Sequence, residues 1–177
     1  MNKRRALPII LIATLVFLVL CGTVIAYMFR QTEYKDNQFT PAEVKCQVAE
    51  EFDGTRKTEV KVTNTGNIDA YLRVRLVSYW VDAAGNVVAK PSEMPAIDMA
   101  SGWLKGENDT YYYTVPVAPE AFTDDLISSP IILEKDENGY LQVLEIFAEA
   151  IQSEPAKAVT NSWGVTVDAD GNITAVN

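Results

Sequence analysis

The order of apolar and polar positions divides this chain in two. Residues 6–29 carry no charge, and Lys3, Arg4 and Arg5 stand just before them. As a helix rising about 1.5 Å per residue, this run reaches about 36 Å, enough to cross a bilayer core of about 30 Å. It is apolar on every side, unlike the two-faced helices of soluble domains. Beyond residue 41 the period changes to two. Val44, Cys46 and Val48 alternate with polar residues, as a half-buried strand requires. Glu59 to Thr63 alternates again, after a turn at Asp53-Gly54, and ends in Asn64-Thr65-Gly66-Asn67, residues that tolerate positive φ.

The strongest strand runs from Tyr71 to Val81. Leu72, Val74 and Leu76 share one face. Arg73 and Arg75 share the other, where cross-strand carboxylates are their expected partners. A turn at residues 82–86 leads into Val87-Val88-Ala89, which Pro91 and Pro95 end. Ser101-Gly102-Trp103-Leu104 and Asn108-Asp109 bracket a short loop. Thr110 to Val115 reads as a strand with Tyr112 on one face and Tyr111 and Tyr113 on the other. Residues 116–126 connect to a strand over 128–133. A turn at 136–139 opens the long alternating run 140–151, whose Ala-rich second half suits helix or strand. Pro155 marks the start of a short helix reaching Trp163. Residues 165–167 and 173–176 form a closing hairpin around 168–172.

Short strands at turn spacings of about 8–12 residues predict an all-β unit, an antiparallel β-sandwich of jelly-roll or Ig-like type with one short C-terminal helix. An N-terminal transmembrane or signal helix precedes it. The expected divisions are a signal peptide or membrane anchor over 1–29, a flexible arm over 30–41, and an extracellular sandwich over 42–177.

Charge sharpens this picture. Three of the 15 basic residues precede the apolar run, leaving 12 against all 24 acidic ones, so the part beyond it carries −12. Such a surface speaks against nucleic acid as a partner. The basic cluster before the run places the N-terminus in the cytoplasm and residues 30–177 outside. The apolar run is longer than the centre of an ordinary secretory signal and lacks a clean Ala-x-Ala, so an uncleaved anchor and a removable signal both stand. Cys21 invites a lipoprotein reading, but Leu20 before it is large; a membrane-buried thiol fits better. Cys46 is the only cysteine beyond the run, which excludes an intramolecular disulfide there. It reads as a small apolar strand residue, with an intermolecular disulfide as the alternative.

The chain has no histidine. That excludes a Ser-His-Asp triad, a Cys-His pair and a His-Glu-x-x-His zinc site. Asp168-x-Asp170-Gly171-Asn172 looks like part of a calcium loop, but its glycine is in the wrong place and no twelfth-position Glu follows, so a plain turn is expected. Glu120 with Asp124 and Asp125 forms a loose carboxylate group of the solvated kind. Trp80, Trp103 and Trp163 are expected in or beside the core. No catalytic, cofactor or metal residues are singled out.

Several motifs carry a resemblance. Gly22-Thr23-Val24-Ile25-Ala26-Tyr27 closes the apolar run, and Asn37-Gln38-Phe39-Thr40 precedes the first strand. Val62-Thr63-Asn64-Thr65-Gly66-Asn67-Ile68-Asp69-Ala70-Tyr71-Leu72-Arg73-Val74 fits the pattern N-T-G-x-x-x-A-Y-x-R-V. Tyr111-Tyr112-Tyr113, Ala150-Ile151-Gln152, Ala158-Val159 and Trp163-Gly164-Val165 continue the likeness. Together they resemble the TasA/camelysin group, in its clostridial branch of proteins with SipW-dependent-type signal peptides. The resemblance implies a Gram-positive surface or biofilm-matrix protein with a jelly-roll-like sandwich. It implies removal of the apolar run by a dedicated signal peptidase near Ala26, Tyr27 and Met28. Some relatives form fibres in which an N-terminal segment of one subunit completes the sheet of the next. Camelysin itself carries a metalloprotease label, which a chain without histidine does not support.

The expectation is an exported, non-enzymatic surface or matrix protein that associates with itself or related subunits by β-strand addition. The alternative is a membrane-anchored extracellular domain, held through residues 6–29, that binds a protein or glycan. An enzyme such as a protease or glycosidase is the least supported reading.

Overall fold

The computed structural model describes residues 3–31 and 41–176, and, within the first stretch, the side chains of Ile12 and 14–27. Two compact units divide the chain, residues 1–40 and 41–177. Most of the expected arm over 30–41 lies outside the described residues; Arg30 and Gln31 end a helix, and Pro41 begins the second unit.

That helix, α1 (Lys3–Gln31), contains the whole charge-free run. Leu15, Phe17, Val19, Val24 and Tyr27 are exposed on it. Among the described residues, no helix is long and apolar enough to cross a membrane.

The second unit is built of antiparallel sheets with no closed barrel. β1 (Cys46–Phe52) pairs with β2 (Arg56–Asn64), which also pairs with β7 (Ile131–Ile132). A second sheet is centred on β3 (Ala70–Val81). One side of β3 pairs along its full length with β8 (Leu141–Gln152). Its other side pairs with β6 (Thr110–Tyr113) and then with β4 (Val87–Val88). β5 (Trp103–Lys105) continues from β6. A seven-residue helix, α2 (Lys157–Trp163), leads into the hairpin of β9 (Val165–Val167) and β10 (Ile173–Val176).

Alternation decides which side chains meet. Val60 and Val62 of β2, Leu72, Val74 and Leu76 of β3, and Leu144 of β8 form one buried cluster. Each such side chain contributes about 1.5–3 kcal/mol by leaving water. The opposite face of β3 is buried at one end only. There Tyr71 and Tyr112 pack with Val159, Val165 and Ile173 in a second cluster. α2 and the last hairpin thus cover one end of an outer sheet face.

Three loops are built alike, at residues 82–86, 136–140 and 168–172. In each an aspartate carboxylate accepts the backbone N–H groups two and four residues on. A glycine in the fourth place adopts φ of 83°. This is a type I turn closed by a left-handed residue, and glycine takes that conformation without steric cost.

Several expectations need correction. Trp103 and Leu104, on one side of the bracketed loop, lie in a strand, β5, for which no strand was expected. The strand expected over 128–133 shrinks to two residues. β8 remains strand through Gln152, which settles its ambiguous half. Pro155 lies two residues before α2, whose N-cap is Ala156. The turn at 64–67 uses no positive φ. Instead the fully buried Asn64 donates its amide to Ile68 and Val117 carbonyls at 2.8 Å and accepts the Gly66 N–H at 3.0 Å. Gly66 is needed for space: a Cβ there would collide with the Glu43 carbonyl and lie 3.0 Å from the Lys45 nitrogen.

Candidate functional site

A sheet edge leaves alternate N–H and C=O groups without ladder partners. Much of the β2 edge is covered here. The Asn64 N–H donates to the Ala121 carbonyl, and Thr123 and Leu126 donate to the Val62 and Val60 carbonyls. The strip at 98–100 then caps that segment, with Ala100 donating to Leu126. β1 and β8 differ. Among the described residues, β1 pairs only with β2, and β8 only with β3, apart from one bridge between Lys135 and Leu141 and the Gln142 N–H bond to Glu134. Among the described residues, 46–52 of β1 and 143–151 of β8 therefore present open edges.

The two open edges belong to different sheets and approach one another. A groove of about 380 Å³ lies between them. Val48 and Phe52 of β1 form one wall, and Leu144 and Ile146 of β8 the other, with Lys57 and Glu50 between. Tyr79 also borders it. Burial, and then the Glu145 charge, raise the Tyr79 hydroxyl above its ordinary pKa, so it stays a neutral donor and acceptor.

Lys57 reaches the groove through a fault in the ladder. Glu51 faces Glu59, but Phe52 faces Lys57, leaving Thr58 as an extra residue in β2. Without this bulge, the alternation set by Val60 and Val62 would turn Lys57 to solvent. Its side chain is 6% exposed instead. The ammonium donates to Glu50 Oε2 at 2.6 Å and lies 5.1 Å from the centre of the Phe52 ring.

The residues singled out by sequence are distributed otherwise. Ala26, Tyr27 and Met28 lie within α1, with Ala26 and Tyr27 exposed. Cys46 is half-buried at the start of β1 and packs on the main core; burial, and then the Glu149 charge, raise its thiol pKa. Arg73 bonds Glu149, directly opposite on β8, and also lies 4.7 Å from the Trp163 ring. Arg75 faces Phe147 and is exposed. The three tyrosines alternate as expected, but all are buried, because both faces of β6 are covered. Trp80 and Trp103 are buried and Trp163 lies at the edge of the second cluster.

The acidic groups do not converge. Asp124 accepts the Tyr113 hydroxyl, Asp125 accepts the Val60 N–H and pairs with Lys61, and Asp168 closes its own turn. Among the described residues, no three Asp, Glu, Cys or His groups could hold a metal ion. Sequence reasoning missed Lys57 and Glu50; alternation alone carries no mark of the bulge. No family model, curated protein or solved structure matches this chain.

Proposed function

We propose that this chain is an exported, non-enzymatic structural protein of the cell surface or biofilm matrix, and that it associates with its own kind by β-strand addition. The observation that carries this reading is the pair of open edges flanking one groove lined by apolar residues and by Glu50, Lys57 and Glu145. Long uncovered edges are normally blunted in proteins that stay monomeric, because they template pairing with another chain. A strand laid along either edge gains main-chain hydrogen bonds, and its alternate side chains enter the groove. The two antiparallel sheets sharing a core suit a jelly-roll-like sandwich, and the motifs quoted above suit the TasA/camelysin group. The donated strand is residues 30–41 of another copy.

In the same reading, residues 6–29 direct export and are removed close to Ala26, Tyr27 and Met28 by a signal peptidase. The basic N-terminus stays in the cytoplasm and the acidic unit acts outside. If the run is not removed, it anchors the unit in the membrane. The exposed apolar side chains of α1 favour burial in lipid over contact with water, which supports a second reading: an anchored extracellular domain that binds a protein or glycan.

Sedimentation and electron microscopy of a chain beginning at Tyr27 and one beginning at Pro41 test the proposal. The first should assemble and the second stay monomeric. Equal assembly of both would refute the donated arm. Two monomers at high concentration would refute self-association and favour the anchored domain.

A further inference from the structure

We propose that a gap in the sheet beside Ser78 binds the C-terminal end of a peptide, whose carboxylate is held by Arg75. The site lies on the side of β3 away from β8 and does not depend on strand addition at the β1–β8 groove.

β3 is paired along its whole length on the β8 side but not on the other. There β6 takes Arg73 to Arg75 and β4 takes Trp80 and Val81, and among the described residues no strand joins 76–79. The phase of the ladder shows which main-chain groups face this gap. Ala70 both donates to and accepts from Val117 on this side, and every second residue of a strand repeats that direction. Leu76 follows the rule: its N–H donates to the Asp109 carbonyl at 3.0 Å. Ser78 is next in phase, so its N–H and C=O point into the gap. Among the described residues neither group has a hydrogen-bond partner, while the Ser78 hydroxyl is engaged with that of Ser92 at 2.6 Å.

A cavity of about 300 Å³ opens here, bordered by Arg75, Val77, Met94, Asn108 and Asp109. The residue opposite Arg75 on β8 is Phe147, and among the described residues the Arg75 guanidinium makes no ion pair. The Asp109 carboxylate is taken by Lys105 at 3.4 Å. Within an acidic unit the gap thus sets an unpaired guanidinium beside an unpaired main-chain donor. A carboxylate suits both, through charge-assisted hydrogen bonds.

A residue laid antiparallel beside Ser78 accepts its N–H and donates to its C=O. Such a chain runs towards lower numbers along β3, which brings its carboxyl side to Arg75. It runs no further, because the Asp109 carbonyl already holds the Leu76 N–H. The ligand therefore ends here, with its last carboxylate between the Ser78 N–H and the Arg75 guanidinium. Its preceding residues turn out of the sheet, since β4 occupies the plane at Trp80. A parallel chain would set its amino end against Arg75, and like charge disfavours that. The same two walls reject an internal peptide segment.

The test uses the full chain in detergent micelles, followed by NMR of amide and arginine side-chain nitrogens. Acetyl-Ala-Ala supplies a terminal amide and carboxylate, its C-terminal amide lacks the charge, and acetate lacks the main chain. Acetyl-Ala-Ala should move the Ser78 N–H and Arg75 Nε signals together, with a dissociation constant of about 1 mM, the scale for so small a ligand. The amide and acetate should each bind about tenfold more weakly. Arg75→Gln, at an exposed position, should bring acid and amide to the same affinity. Equal binding of acid and amide to the wild-type chain would overturn carboxylate recognition, and that comparison needs no variant. Equal binding of acid and acetate would leave an anion contact only and overturn the main-chain role. No saturable shift at Ser78 with any of the three would overturn the site itself.

Discussion

At the scale of residues, single polar groups hold the β unit's turns in place. Asn64 is fully buried and satisfies three main-chain groups across the 64–67 turn and residue 117. Asn64→Ala leaves two carbonyls and an amide without partners, so it should cost about 3 kcal/mol, read by urea unfolding of residues 41–177. A cost below about 1 kcal/mol would contradict this role. The turn aspartates act differently. Asp82, Asp136 and Asp168 are all held below the usual carboxylate range, chiefly by the Asn86 side chain, Lys90 and the Asn172 N–H respectively. A carboxylate lowered on folding stabilises the native state above its unfolded pKa of about 3.9, and that support is lost as pH falls through the lower folded value. Replacing all three by Asn should flatten the fall in stability below about pH 4, in unfolding curves taken across that range. An unchanged slope would place acid sensitivity elsewhere.

At the scale of elements, the second cluster behaves as a cap on one end of the β3–β8 sheet. Arg73 links its parts: Glu149 on the edge strand, the Trp163 ring at the end of α2, and the Tyr112 hydroxyl at 3.4 Å. Arg73→Ala should loosen residues 157–176 by about 2 kcal/mol and leave β1 and β2 untouched, seen as faster hydrogen exchange confined to the cap. Arg73→Lys should recover only part of this protection, because the planar fork both stacks and binds. Uniform acceleration across the unit would show that the cap is not a separate layer. Alternation in the sequence revealed β3, the first half of β8 and the last hairpin because these stretches have clear alternation and clear turns, while the Ala-rich second half of β8 suits either helix or strand. It did not reveal β5, whose three residues are too few to show a period. Nor did it reveal the inward turn of Lys57, because Thr58 shifts the phase within a strand and no residue type marks such a shift. Burial of Tyr112 was equally hidden: it depends on α2 and β10, far along the chain.

At the scale of the whole molecule, the groove can be read only from pairing. Sequence shows that strands exist, but which strand lacks a neighbour follows from the order of all of them. β1 and β8 are remote in sequence and become joint borders only because one ends each sheet. Glu145 and Glu149 on β8 disfavour indiscriminate pairing of that edge with an apolar strand, while the half-buried Ile146 borders the groove. The acidic net charge acts in the same direction, keeping copies apart until a matched segment enters. Hydrogen exchange of the chain beginning at Tyr27 tests the central claim most directly, comparing assembled material with residues 41–177 alone. Alternate amides in residues 46–52 or 143–151 should slow by at least tenfold on assembly, while the interior strand β3 stays as it was. Assemblies in which both edges exchange as fast as in the isolated unit would contradict strand addition at this groove.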